Sequence, residues 1–262
     1  MEDNFVWCQR MNRIQKFLYN IGWLTEITRN SIVSVLYLLK LKASSSALGK
    51  GMCGGRHFYF RKSDLSGLKE ILIDKEYNFL SEAIKSKEAF TILDCGAHIG
   101  LPVLWAATIN PSIKVLSVEA SPDTFKVLAK NREHSKIDWN IINRACWSDE
   151  TEISFQTRGD SMSHRVSTEG GVKVKGISLP DLLNMMGNKN IDLIKIDIEG
   201  AEEEFLCSHP EALKHIERIV IELHPQLCST DKVQSTLELY FSKIVTIQGR
   251  VSSKPLLYCT KE

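Results

Sequence analysis

The sequence predicts an α/β fold: a wound, mostly parallel sheet with helices on both faces, a small inserted β-hairpin and an N-terminal helical extension. Three observations carry this reading. Beyond about residue 56, short apolar runs alternate with amphipathic segments, as strands do with the helices that cover them. The run from Thr91 to Gly100 reads as a strand, a glycine turn and a helix start. Before about residue 45 the apolar spacing is helical instead, with Ile32, Val35, Leu36 and Leu39 at i, i+3, i+4 and i+7.

Taken in order, residues 1–55 form the extension and a linker, and residues 56–262 a single domain. The linker reading rests on Ala43-Ser44-Ser45-Ser46 and Gly49-Lys50-Gly51, with Gly54-Gly55 just beyond, which mark a flexible joint. Strands are expected at about 90–94, 115–119, 139–143, 191–197, 217–223, 243–248 and 255–260. Helices are expected near 64–72, 76–87, 100–108, 122–134, 178–187, 201–206 and 231–240. Between the third and fourth strands, Glu152-Ile153-Ser154-Phe155 and Val172-Lys173-Val174 alternate by two, which predicts the inserted hairpin. The last two strands lack a well-developed helix between them, so the final one is expected to run antiparallel.

Composition narrows the function classes. Hydrophobic residues make up 43%, enough for a substantial core. The formal charge is +1, from 33 basic and 32 acidic residues, so no general electrostatic pull toward nucleic acid is expected. Seven scattered cysteines without a C-x-x-C pair argue against a disulfide framework or a thiolate zinc site, and favour a reducing, cytoplasmic setting. The most apolar stretch, Ser31 to Leu39, is about half of the roughly 20 residues a spanning helix needs. The extension is therefore expected to pack on the domain or shelter a substrate site, with peripheral membrane contact as the alternative.

The glycine turn defines a candidate nucleotide site. In Asp94-Cys95-Gly96-Ala97-His98-Ile99-Gly100, glycines permit close backbone approach and the helix start offers unpaired N–H groups. A dinucleotide site wants a central glycine where His98 stands, and Asp94 would repel a pyrophosphate; a ligand with an amino group and a sulfonium suits it better. Roughly 20 positions beyond Gly96, Glu119 ends an apolar strand, placed to accept hydrogen bonds from two ribose hydroxyls, with Ala120 following it. Ala145 and Trp147, after the third strand, are candidates to sandwich a purine; Trp147 reads equally as a core anchor. His98 reads either as a ligand contact or as a packing residue.

Ligands of open α/β sheets bind at the carboxyl ends of the strands. Alternation places Lys195, Asp197 and Glu199 on one face of the fourth strand, and Glu222 and His224 on one face of the fifth. Adjacent strands bring these groups together, a chemical constellation because buried charges are costly unless paired. The plainer alternative is a structural Lys195–carboxylate pair with Glu199 capping a helix. Ser161 and Ser163 lie in a segment with the composition of a binding loop, or of an exposed hairpin tip.

Three motifs together resemble the FkbM family of methyltransferases: Asp94 to Gly100; Glu119-Ala120-Ser121-Pro122; and Asp192-Leu193-Ile194-Lys195-Ile196-Asp197-Ile198-Glu199-Gly200-Ala201-Glu202. Arg61 to Leu65, Glu76-Tyr77 and Ser178 to Leu183 also fit, so the resemblance spans about residues 56–262. It implies a Rossmann-like class I methyltransferase sheet and O-methylation of a sugar, glycan or secondary-metabolite hydroxyl by S-adenosylmethionine. It further implies that Asp94, Gly96 and Glu119 hold the cofactor, with Asp197 and Glu199 near the accepting hydroxyl. One departure is His98, where the family more often has Asn.

A sugar hydroxyl is a poor nucleophile at neutral pH, so a base is needed; Asp197 or His224 is the choice, with Lys195 orienting a carboxylate or the substrate oxygen. The reaction is expected to need no metal, because Lys195 brings a competing positive charge and only one histidine is present. Three other readings compete. A nucleic-acid methyltransferase is disfavoured by the near-neutral charge and the lack of an aromatic–proline motif after the fourth strand. A nicotinamide-dependent dehydrogenase is disfavoured by His98 and Asp94, and a non-catalytic cofactor-binding protein by the intact acids at both strand ends.

Overall fold

The computed structural model describes residues 12–29, 33–35, 38–39, 47–156, 165–166, 171–187, 189–247 and 254–261. Its centre is a seven-stranded sheet of β3 (Thr91–Cys95), β4 (Lys114–Val118), β5 (Asp138–Ile142), β10 (Leu193–Ile196), β11 (Arg218–Glu222), β12 (Lys243–Thr246) and β13 (Leu256–Thr260). The spatial order is β12-β13-β11-β10-β3-β4-β5. From β5 through β11 neighbouring strands are parallel, and β13 runs antiparallel to both β11 and β12. The order reverses between β3 and β10, which opens a crevice at their carboxyl ends.

Side-chain alternation divides the core into two layers. Ile92, Val115, Leu193 and Val220 face one side, against α3 (Leu101–Ile109), the segment 65–85 that includes α2 (Ser81–Lys85), and α4 (Pro122–Ser135). Leu93, Leu116, Ile194, Ile219 and Ile221 face the other, against α5 (Leu179–Met185), α6 (Glu202–Cys207) and α7 (Thr230–Glu238). Near-continuous apolar strands are what a sheet covered on both faces requires. Pro122 and Leu179-Pro180 start their helices behind the caps Ser121 and Ser178, whose hydroxyls accept from Thr124 and Asp181 backbone N–H groups.

The inserted hairpin is present: β7 (Glu152–Gln156) pairs antiparallel with β9 (Val172–Ile177). The short strands β6 (Ala145–Cys146) and β8 (Arg165–Val166) complete a second sheet, in the order β6-β9-β7-β8.

The N-terminal part corrects the expected joint. Residues 49–60 are not a linker but an antiparallel hairpin, β1 (Gly49–Cys53) and β2 (Arg56–Phe60), turning at Gly54-Gly55. The glycines that suggested flexibility serve close packing: a Cβ on Gly51 would lie 2.6 Å from Ile27 and 2.5 Å from Phe58. Ile27 belongs to α1 (Arg13–Thr28), which starts from an Asn12–Gln15 capping box and sends Trp23, Leu24 and Ile27 into the core with Phe58 and Phe60. The extension thus packs on the domain. Its expected apolar stripe is shifted, since Leu38 is buried while Leu39 is exposed; Ile32 and Leu36 lie outside the described residues. No helix among the described residues is long and apolar enough to cross a membrane.

Gly100 joins the turn to α3 with φ +86, where a Cβ would lie 2.3 Å from the Trp139 ring. Left-handed backbone strain and overlap with a buried indole add. Gly100→Ala is expected to cost about 2–4 kcal/mol of unfolding free energy in urea denaturation; an unchanged value would show that Trp139 moves aside freely.

Candidate active site

The site is built where the two layers give way to polar residues at the carboxyl ends of the strands. Lys195, Asp94 and Ser117 occupy one row across β10, β3 and β4. Asp94 is 1% exposed; its Oδ2 accepts from the Ser117 hydroxyl at 3.2 Å, which in turn accepts from the Trp139 indole at 2.9 Å. Lys195 Nζ lies 3.5 Å from Asp94 Oδ1 and donates to the Gly96 carbonyl at 2.6 Å. Burial pushes the Asp94 carboxyl up, against the opposing pull of Lys195 and Ser117. It works the other way on Lys195, but Asp94 and Asp197 outweigh it and raise that group. Lys195 therefore orients a carboxylate, as one expected role had it, and it does so from beneath the turn. Its ammonium is directed at Asp94 and the turn carbonyls.

The turn packs tightly on the neighbouring strand. Gly96 has φ +74, and a Cβ there would lie 1.8 Å from the Asp197 carbonyl. The need for glycine thus comes from the approach of β10 as much as from any ligand. His98 has φ +51, and its Nε2 lies 3.1 Å from Asp64 Oδ1. Asp64 is fully buried and also binds Arg61, which donates to both carboxylate oxygens. The histidine thereby ties the segment leading into the domain to the turn. Burial opposes ionisation of Asp64, but His98 and Arg61 outweigh it and hold the carboxyl well below the usual range.

Glu119 follows β4 and is 8% exposed. Its two oxygens accept the N–H groups of His98 and Ser121, each at 2.8 Å, so the carboxylate is fixed beside the turn. Burial raises it, against the pull of His98 and those backbone donors. Asn143 donates to the Glu119 and Ala120 carbonyls at 2.7 and 3.0 Å. Ala120 and Trp147 pack with Ala145, Ile153 and Val174 in a small apolar cluster. The structure thus gathers Gly96, Ala97, His98, Glu119, Ala120, Ala145 and Trp147 around the ends of β3, β4 and β5. Ser161 and Ser163 lie outside the described residues.

The second constellation also assembles. His224 is 3% exposed, and its Nδ1 lies 2.7 Å from Glu202 Oε1. Its Nε2 faces Glu199 at 3.2 Å, Glu222 at 3.6 Å and Asp197 at 4.0 Å. Burial would lower the imidazole, but Glu199 and Glu202 outweigh it and lift its pKa to about 9. Burial would raise Glu199, but His224 and Lys254 pull it below its usual value. Glu199 does not cap a helix, nor does it follow strand alternation. The strand ends at Ile196, and Glu199 takes φ +51 before Gly200, turning its carboxylate toward His224 and Lys254. Sequence reasoning missed Glu202 as a site residue, along with Lys254 and Asp64. Glu202 stood inside the quoted motif, but nothing in its spacing announces the hydrogen bond to His224.

A methyltransferase FkbM domain matches residues 94–243, more than half of the chain. The chain is similar to the hexuronic acid methyltransferase AglP of Haloferax volcanii, 26% identical over 168 residues that cover 63% of this chain and 69% of the relative. It is also similar to methyltransferase 1 of Beauveria bassiana, 27% identical over 184 residues, covering 59% and 71%. Among solved structures, a precorrin-6y C5,15-methyltransferase from Geobacter metallireducens aligns with a TM-score of 0.44 at 10% identity, covering 71% of this chain and 87% of that one.

Two predictions follow from this geometry. Replacing Glu119 by Ala is expected to weaken S-adenosylmethionine binding by about 1.5–3 kcal/mol, the range for hydrogen bonds to a charged group, while the fold survives; unchanged affinity by calorimetry in a folded variant removes the ribose assignment. The depressed Asp64 stabilises the fold at pH values above its ordinary 3.8, and that contribution is lost as the pH falls below it. Acid titration of urea stability should bring the wild type toward Asp64→Asn through that window; parallel curves would show that the pair with His98 and Arg61 contributes nothing.

Proposed function

The chain belongs to the FkbM methyltransferase family and is an S-adenosylmethionine-dependent methyltransferase; from that premise we propose that it methylates a hydroxyl of a sugar, glycan or other small metabolite, in the cytoplasm. The observation that carries the acceptor reading is the convergence of Asp197, Glu199, Glu222 and His224 at the ends of β10 and β11. A hydroxyl must lose its proton as the new bond forms, and a cluster rich in carboxylates beside the cofactor crevice can accept it. The hexuronic acid in the name of the Haloferax volcanii relative supports a sugar-class acceptor. The described cysteines are free thiols, in keeping with a reducing compartment.

The residues present fit the cofactor. Asp94 Oδ1 is a buried oxygen without a hydrogen-bond partner, and Glu119 is a fixed carboxylate at the end of the neighbouring strand. Glu119 would hold the ribose hydroxyls, and Ala120, Ala145 and Trp147 the adenine. When bound, S-adenosylmethionine supplies an activated methyl group. Asp197 takes the proton of the acceptor hydroxyl, its carboxylate held at the strand end because its backbone N–H is anchored to the Cys95 carbonyl at 3.1 Å. Holding the base still on a rigid strand end is itself part of the rate gain. Lys195 and Gly96 keep the β3 turn in register with that strand end.

Asp197→Asn is expected to lower turnover at least about 100-fold, the lower end for loss of a general base, with little change in cofactor affinity. Transfer of labelled methyl to glycan and metabolite fractions tests both points. Incorporation that proves stable to base and undiminished in the variant would overturn the base assignment; methyl found only on nitrogen or carbon would overturn the hydroxyl.

A further inference from the structure

We propose that Asp197, Glu199 and His224 bind a divalent cation, with Glu202 orienting the imidazole from behind. One ligand atom from each of the three lies within 4.8 Å of the others. The sequence-based expectation of a metal-independent site rested on Lys195, on the single histidine and on repulsion between a cation and the cofactor's sulfonium, and the geometry weakens the first objection. Lys195 is held more closely by the Gly96 carbonyl at 2.6 Å and by Asp94 at 3.5 Å than by Asp197, whose Oδ2, not the Oδ1 that faces His224 Nε2, it meets at 4.0 Å.

The second and independent observation is the state of His224. Its Nδ1 contact with Glu202 fixes the ring, so Nε2 is the atom presented to the cluster. This Nε2 is fully buried and has no hydrogen-bond partner, although three carboxylates face it. Asp197 Oδ1, 4.0 Å away, is buried and unpartnered as well. Leaving two such atoms unsatisfied is costly. Metal–ligand bonds of about 2.1 Å allow two donors of one ion to stand up to about 4.2 Å apart, so Nε2 can share an ion with both Glu199 at 3.2 Å and Asp197 at 4.0 Å. A ligating histidine that gives its other nitrogen to a carboxylate is the usual arrangement around bound metals, and Glu202 supplies that carboxylate.

Charge points the same way. Asp197, Glu199, Glu202 and Glu222 meet around one imidazole, and the lysine set against them, Lys254, is 42% exposed and touches Glu199 and Glu222 at the rim. Two carboxylates and one imidazole suit a borderline-to-hard ion such as Mn2+, and leave coordination positions open. The role of those positions rests on the hydroxyl reading above: an acceptor oxygen on the ion is acidified, and Asp197 Oδ2 remains to take its proton. Ion binding itself does not rest on that reading.

The test uses the full chain stripped with EDTA and titrated with Mn2+ alone, followed by calorimetry and by paramagnetic resonance of the free ion. One saturable ion per chain is expected, with affinity reduced at least 10-fold in Glu199→Gln and His224→Gln, and about 10- to 100-fold in Glu202→Gln. Circular dichroism of each variant establishes that it is folded, and the wild-type titration stands whether or not a variant folds. Absence of saturable binding of Mn2+, Mg2+ and Zn2+ to the wild type, or equal affinity in a folded Glu199→Gln, would overturn the site. Methyl transfer to a hydroxyl that persists in EDTA, in a protein that binds no ion, defeats this site and leaves the acceptor reading intact. An ion bound by these residues in a protein that methylates no hydroxyl upholds the site and defeats the acceptor reading.

Discussion

The ion pair of Lys195 and Asp94 is the constraint on which the rest of the site depends. Both groups are buried, and they sit side by side on β10 and β3, the two strands between which the order of the sheet reverses. Removing either partner would leave a charge stranded in the interior, which typically costs about 3–5 kcal/mol. The pair is retained with further partners rather than alone: Ser117 and Trp139 extend it into β4 and β5, and the Gly96 carbonyl takes the lysine's shortest hydrogen bond. A single buried charge row therefore sets the position of the turn after β3 relative to the end of β10. The cofactor crevice and the Asp197 carboxylate inherit their relative placement from it.

A second polar tie fixes the turn from outside the sheet. Asp64, buried and bound by Arg61, reaches His98 at the centre of the turn, and the same residue's N–H binds Glu119. This explains why a histidine serves where a dinucleotide site would have glycine. Its backbone adopts the left-handed conformation at some cost, while its ring reaches Asp64 and its N–H reaches Glu119, joining three parts of the chain that are far apart in sequence. A change at Asp64, outside the glycine motif, would thus reach the Glu119 carboxylate through two hydrogen-bonded links.

Much of this was legible in the sequence, and the reasons for what was not are physical. Buried parallel strands write themselves as apolar runs, so all seven strands of the main sheet were placed within a few residues, as were Asp94 and Glu119 at their ends. The β1–β2 hairpin escaped because Gly49, Gly51, Gly54 and Gly55 look like a joint when their packing partners, such as Ile27 and Thr108, are unknown. Strand alternation brought Asp197, Glu222 and His224 to one region correctly. It failed for Glu199, since a positive φ at a non-glycine residue cannot be read from spacing. Glu202, Asp64 and Lys254 act through contacts made only in three dimensions, and one-dimensional patterns do not carry those.

Two clusters of charge thus stand a few ångströms apart and are treated in opposite ways. Around Asp94 the positive charge of Lys195 is close and the surroundings are apolar, and Lys195 is itself tied to the Cys95 and Gly96 carbonyls. Around His224 four carboxylates gather, and the counter-charges are the imidazole itself and a lysine at the solvent rim. The first arrangement holds structure and leaves one oxygen, Asp94 Oδ1, without a hydrogen-bond partner. The second carries surplus negative charge in a partly desolvated place, where each uncompensated carboxylate costs more than it would in water. That cost is tolerable if the missing positive charge arrives with what the enzyme binds. A sulfonium at the neighbouring crevice and a cation within the cluster are two such charges, and both would be drawn to the same field. The surplus negative field of this cluster is an electrostatic property of residues 197–224, set by how the ends of β10 and β11 meet.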